Sequence, residues 1–207
     1  RFGTGALNKY EYACTVAAAM AYLLLRQQDS VGLSVFDDEV HTRVDFRSRR
    51  NHLGALLEAL ETGRTERKTE LFGVLSDTAG SQNRRGMIVI ISDLFVPREG
   101  LFRGLRMLRH RGHDVLLFQI MDDEELDFNF TGTTRFEGLE ETGNLVCDPR
   151  SLRDGYLAAV DTFRDELRQR CASEMIDFQT IRTSEHLDAA LAHYLNHRIG
   201  MRQSVRS

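Results

Sequence analysis

The chain has 207 residues, of which 42% are hydrophobic and 28% charged, the balance of an ordinary globular protein with enough apolar side chains for a buried core. Its formal charge of −4 is distributed with both signs interleaved, so there is no basic stripe for a nucleic-acid backbone to neutralise. Its longest apolar run, residues 16–25, falls well short of the roughly 20 residues that cross a bilayer, and no signal segment opens the chain; the expectation is a soluble, cytoplasmic segment without membrane contact.

Residues 8–28 read as a helix with Asn8 as N-cap, apolar nearly all round and therefore covered on more than one side. Residues 31–36 (VGLSVF) read as a buried strand. Residues 40–46 alternate apolar and polar side chains, as an edge strand with one wet face does. Helical stretches at 51–61 and 69–79 follow. Residues 87–91 (MIVII) form an unbroken β-branched run suited to the middle of a parallel sheet, and it ends at Ser92 and Asp93. A helix at 99–111 stops at Gly112, and a second buried strand at 115–121 (VLLFQIM) runs into the acids Asp122, Asp123, Glu124 and Glu125.

Beyond these, 126–148 reads as short strands and turns, 151–175 as a long amphipathic helix, 176–182 as a last strand, and 184–202 as a last helix capped by Ser184. Strands alternating with helices call for an α/β fold: a Rossmann-like, mostly parallel sheet with helices on both faces, in one domain over residues 1–207. The strands 87–91 and 115–121, joined by a single crossover helix, are expected to lie side by side and parallel.

In open α/β sheets ligands bind outside the carboxyl ends of the strands, so Asp93 and Asp122 carry the most functional weight. Each has a plainer reading, Asp93 as a helix-cap or turn aspartate and the run from Asp122 to Glu125 as a solvated loop. The segment holding Gly3, Gly5 and Lys9 lacks the phosphate-loop spacing and has no strand before it in this chain. His186, His193 and His197 fall near one line of the last helix and read as a surface stripe rather than a metal site. Cys14, Cys147 and Cys171 stand far apart in no CxxC pair and read as reduced thiols. No nucleophile elbow, HExxH pair or Cys/His set appears, so the chain reads as a non-enzyme.

Several stretches together resemble the bacterial family called domain of unknown function 58, whose members contain a von Willebrand factor A-like domain. They are NKYEYACTVAAAMAYLLLRQQDSVGLSVFD, RRGMIVIISDLF, MDDEELDF, FEGLEETGNLVCDPRSLRDGY and FQTIRTSEHLDAALAHYL, in order along nearly the whole chain. The resemblance implies one sheet with 40–46 as its antiparallel edge, and a metal-ion-dependent adhesion site in which Thr69 and Asp93 match the threonine and the aspartate. The DxSxS segment of that site, and the first central strand before it, should lie immediately ahead of Arg1. The expectation is therefore a chain truncated at its N-terminus, with Thr69 and Asp93 as half of a site that takes Mg²⁺ in the full-length protein and none here.

The resemblance also implies a protein-interaction module, the partner of a MoxR-type AAA ATPase in a chaperone-like or complex-maturation role. The alternative is a Mg²⁺-dependent hydrolase or phosphatase acting at Asp93 and Asp122.

Overall fold

A computed structural model describes residues 3–37, 39–63, 71–81, 85–130, 134–137, 144–147, 149–188 and 191–192. In chain order the elements are α1 (Lys9–Arg26), β1 (Val31–Phe36), β2 (Val40–Arg47), α2 (His52–Thr62), α3 (Leu71–Ser81), β3 (Met87–Ser92), α4 (Arg98–His110), β4 (Asp114–Met121), α5 (Asp123–Asp127), β5 (Thr134–Glu137), β6 (Asn144–Cys147), α6 (Pro149–Ser173) and β7 (Asp177–Arg182).

The centre is a parallel sheet in the order β3-β4-β7. Met87 is in register with Asp114 and Ser92 with Gln119, so the expected parallel neighbours are neighbours. Strand alternation assigns their side chains to two faces. Met87, Val89 and Ile91 of β3, with Leu116, Phe118 and Ile120 of β4, meet Tyr12, Val16 and Met20 of α1. Ile88, Ile90, Val115 and Leu117 point the other way, onto α3, α4 and α6 through Leu75, Leu105 and Leu167. Every residue of β4 after Asp114 is buried, which is why its sequence shows no polar alternation.

β1 and β2 pair antiparallel, as the resemblance implies for 40–46. They form their own two-stranded ladder, however, and among the described residues no ladder joins β1 to β3. The strands that the resemblance groups in one sheet therefore stand in separate ladders among the described residues, with β1 and β3 not paired to each other. What aligns the two ladders is α1, whose continuation through Ala21 and Leu25 packs on Leu56 of α2 and on Val31 and Leu33 of β1. A helix apolar on several sides serves both.

Other expectations need correcting. The acids after β4 are not a solvated loop: Asp122 is the buried N-cap of α5, in a capping box with Glu125. Ser184 does not cap the last helix, since its hydroxyl donates to Asp123 Oδ1 at 2.9 Å and helical residues begin only at Leu187. The segment expected as short strands does contain two, β5 and β6, paired antiparallel. His186 is exposed; His193 and His197 lie outside the described residues. Cys14 and Cys171 are free, and burial pushes the Cys171 thiol up to about 12, too high for a reactive thiolate at neutral pH.

Candidate functional site

Each strand of the central sheet ends on polar residues at its carboxyl end: Asp93 after β3, Asp122 after β4, and Thr183 after β7. Asp93 is placed by a tight turn. Ser92 Oγ accepts the Leu94 N–H at 3.1 Å and Asp93 Oδ1 accepts the Phe95 N–H at 3.2 Å. Between them Leu94 adopts φ 64, a left-handed conformation costing a leucine about 1 kcal/mol, and it is tolerated because the side chain is fully buried. The turn leaves Phe95 facing out, 43% exposed, with its ring stacked 5.8 Å from that of Phe163.

Lys9 comes from the other side of the sheet end. Asn8 and Glu11 form a capping box that fixes the start of α1, and Lys9, the first helical residue, extends its Nζ to 3.1 Å from Asp93 Oδ2 and 2.8 Å from Glu125 Oε1. The same ammonium lies 5.2 Å from the centre of the Phe95 ring. Burial alone would lower the Lys9 pKa, but the charges of Asp93 and Glu125 outweigh it and hold it above the ordinary lysine value. The lysine is therefore charged throughout the physiological range.

Glu125 links this pair to Asp122, whose backbone N–H donates to Glu125 Oε2 at 2.9 Å. Burial pushes the Asp122 carboxyl up, yet hydrogen bonds from Thr4 Oγ1, Thr4 N, Glu124 N and Thr183 Oγ1 together hold it below the usual carboxylate value. Thr4 reaches it because the segment before α1 folds back so closely that a Cβ on Gly3 would lie 2.5 Å from Asn8 Cα. Beside it Arg182 bridges Asp123 and Asp127, tying α5 to the end of β7.

At the end of β1, outside this network, the buried carboxylate of Asp37 pairs with His41 Nε2. The geometry therefore connects Asp93, Lys9, Glu125 and Asp122 into one run of charge-assisted hydrogen bonds, while Thr69 lies outside the described residues.

As a metal site the described residues do not fit. Asp93 Oδ2 already holds an ammonium and Oδ1 a backbone N–H, and among the described residues no group of three or more His, Cys, Asp or Glu is placed to hold an ion. Sequence reading missed Lys9, Glu125 and Thr4. The capping-box spacing from Asp122 to Glu125 was a usable local sign; nothing local shows where a lysine on the first turn of α1 will reach.

The fold and this surface define an α/β domain with a polar, hydrogen-bonded face at the carboxyl ends of a parallel sheet. The chain belongs to the family described as protein of unknown function DUF58, whose model matches residues 1–166. It is 26% identical over 189 residues to uncharacterised proteins of Mycobacterium tuberculosis and Mycobacterium bovis; the match covers 87% of this chain and 59% of theirs. The chain thus spans about three fifths of the length of these curated relatives.

Its fold is shared with the conserved hypothetical protein BatB from Bacteroides thetaiotaomicron, at TM-score 0.59 and 15% identity over 98% of this chain and 91% of that one. It is also shared with an aerotolerance-related membrane protein from Bacteroides fragilis, at TM-score 0.58 and 17% identity over 91% of this chain and 87% of that one. In the present chain, among the described residues, no helix is long and apolar enough to cross a membrane.

Proposed function

We propose that this is a non-catalytic, von Willebrand factor A-like interaction module that docks a partner protein on its strand-end face. The observation that carries the reading is Phe95: an exposed aromatic ring, steadied by Phe163 and by the Lys9 ammonium, beside a half-exposed Asp93 carboxylate. A rigid aromatic next to a charged group is the composition of an interface anchor, since the ring contributes contact area without first having to be ordered.

The partner in this reading is a MoxR-type AAA ATPase, in a chaperone-like or complex-maturation role on the cytoplasmic side; the family resemblance supplies that identity. In this reading Mg²⁺ binds only where a DxSxS segment supplies oxygen ligands beyond Asp93, the residue that the resemblance matches to the site. The hydrolase alternative needs Asp122 open to a metal, whereas its carboxylate is enclosed by Thr4, Glu124 and Thr183.

The test is capture of the MoxR-type ATPase encoded nearest this gene by wild-type protein and by Phe95→Ala. Loss of an anchor worth about 2 kcal/mol weakens binding roughly 30-fold. Equal capture by the two proteins would remove Phe95 from the interface, and no capture by wild type would remove the ATPase.

A further inference from the structure

Lys9 stands where helix chemistry disfavours it. The N-terminus of a helix carries partial positive charge, so a cation in the first turn is unfavourable where an acid would stabilise. The side chain does not turn away into water: it is only 13% exposed, and its ammonium lies between Asp93 and Glu125. The capping box of Asn8 and Glu11 fixes the backbone from which it reaches. A residue that violates a local preference and is compensated across the fold marks a position chosen for something other than helix stability.

What it accomplishes is charge neutralisation. Without it, two carboxylates would face each other at a partly buried strand end, and such pairs require a cation or a proton. We infer that Lys9 is the resident cation of this face: a tethered ammonium that neutralises Asp93 and Glu125 in the manner of a bound divalent ion, so that the surface around Phe95 is assembled without metal. The inference deepens the docking reading, on which its consequence for partner binding rests. Its test involves no partner, so the two fail separately.

Thermal melts of wild type and Lys9→Met, with and without millimolar Mg²⁺, make the test. The methionine keeps most of the stem and removes the charge. Wild type is expected to melt at the same temperature with or without Mg²⁺. Lys9→Met is expected to melt several degrees lower, with at least half of that loss restored by Mg²⁺. Three results overturn the inference: a Mg²⁺-dependent rise in wild type that Asp93→Asn abolishes; a Lys9→Met protein as stable as wild type; or a destabilised Lys9→Met protein that Mg²⁺ does not restore. Should Lys9→Met fail to fold, Mn²⁺ added to wild type decides by NMR. Unbroadened amides at Lys9, Asp93 and Phe95 support the tethered cation, and selective broadening there overturns it.

Discussion

Thr4 gives Asp122 two hydrogen bonds, from its amide at 2.9 Å and its hydroxyl at 2.6 Å, across 118 residues of sequence. The segment before the first helix is thereby fastened to the carboxyl end of the central strand, and the fastening depends on an ionised carboxylate. Since the folded-state pKa of Asp122 lies below its ordinary value, this stabilisation is fully present above the unfolded pKa of about 3.9 and is lost as pH falls through the folded value.

Asp122→Asn is accordingly expected to lower stability at neutral pH by about 2 kcal/mol, because an amide nitrogen then faces hydrogen-bond donors. The variant should also lose less stability than wild type on acidification below about pH 4. Urea unfolding at neutral pH and near pH 3 measures both, and equal acid sensitivity in the two proteins would contradict the assignment.

His113 is buried, and among the described residues neither ring nitrogen has a hydrogen-bond partner. An unsatisfied buried polar group costs on the order of 1–3 kcal/mol, and an apolar side chain of similar volume removes that cost. His113→Leu should therefore be neutral or stabilising, which is unusual for a change inside a core. A loss above about 2 kcal/mol in chemical denaturation would mean that the imidazole does have a partner.

Two helical glycines should respond to alanine with opposite signs. A Cβ on Gly104 of α4 would lie 2.8 Å from Leu75 Cβ, where α3 and α4 pack together, whereas a Cβ on Gly155 of α6 meets nothing within 4 Å. Gly155→Ala should stabilise by about 0.5–1 kcal/mol through helix propensity alone. Gly104→Ala should destabilise by about 1–3 kcal/mol as the helices are forced apart. Thermal melts of the two variants side by side check the contrast.

Arg182 holds Asp127 with two nitrogens, at 2.8 and 2.9 Å, and Asp123 with one at 3.0 Å. Lysine cannot reproduce that fork. With the pair partly exposed, Arg182→Lys should cost only about 1 kcal/mol, less at high salt, and the loss should appear as faster amide exchange in α5 rather than as global unfolding. Unchanged exchange at residues 123–127 would show that α5 is held by something else.

The amino-acid sequence by itself determined most of the element types, because hydrophobic period is a local property. MIVII and VLLFQIM could only be covered strands, the alternation of 40–46 only a strand with one wet face, and their parallel neighbourhood followed from a single crossover helix. It also drew attention to Asp93, since the end of a parallel strand is where open sheets put their chemistry.

What occupies that carboxylate was decided only in three dimensions. Lys9 and Asp93 are 84 residues apart, and their pairing depends on α1 crossing β3 at one particular height. The same holds for Asp122, whose acidic neighbours look like a solvated run until Glu125 folds back on it and Thr4 arrives from the other end of the chain. Which strands share a ladder is likewise a non-local choice, which hydrophobic period alone does not specify. Here α1 packs on both ladders through two apolar faces, and among the described residues no ladder hydrogen bonds join them.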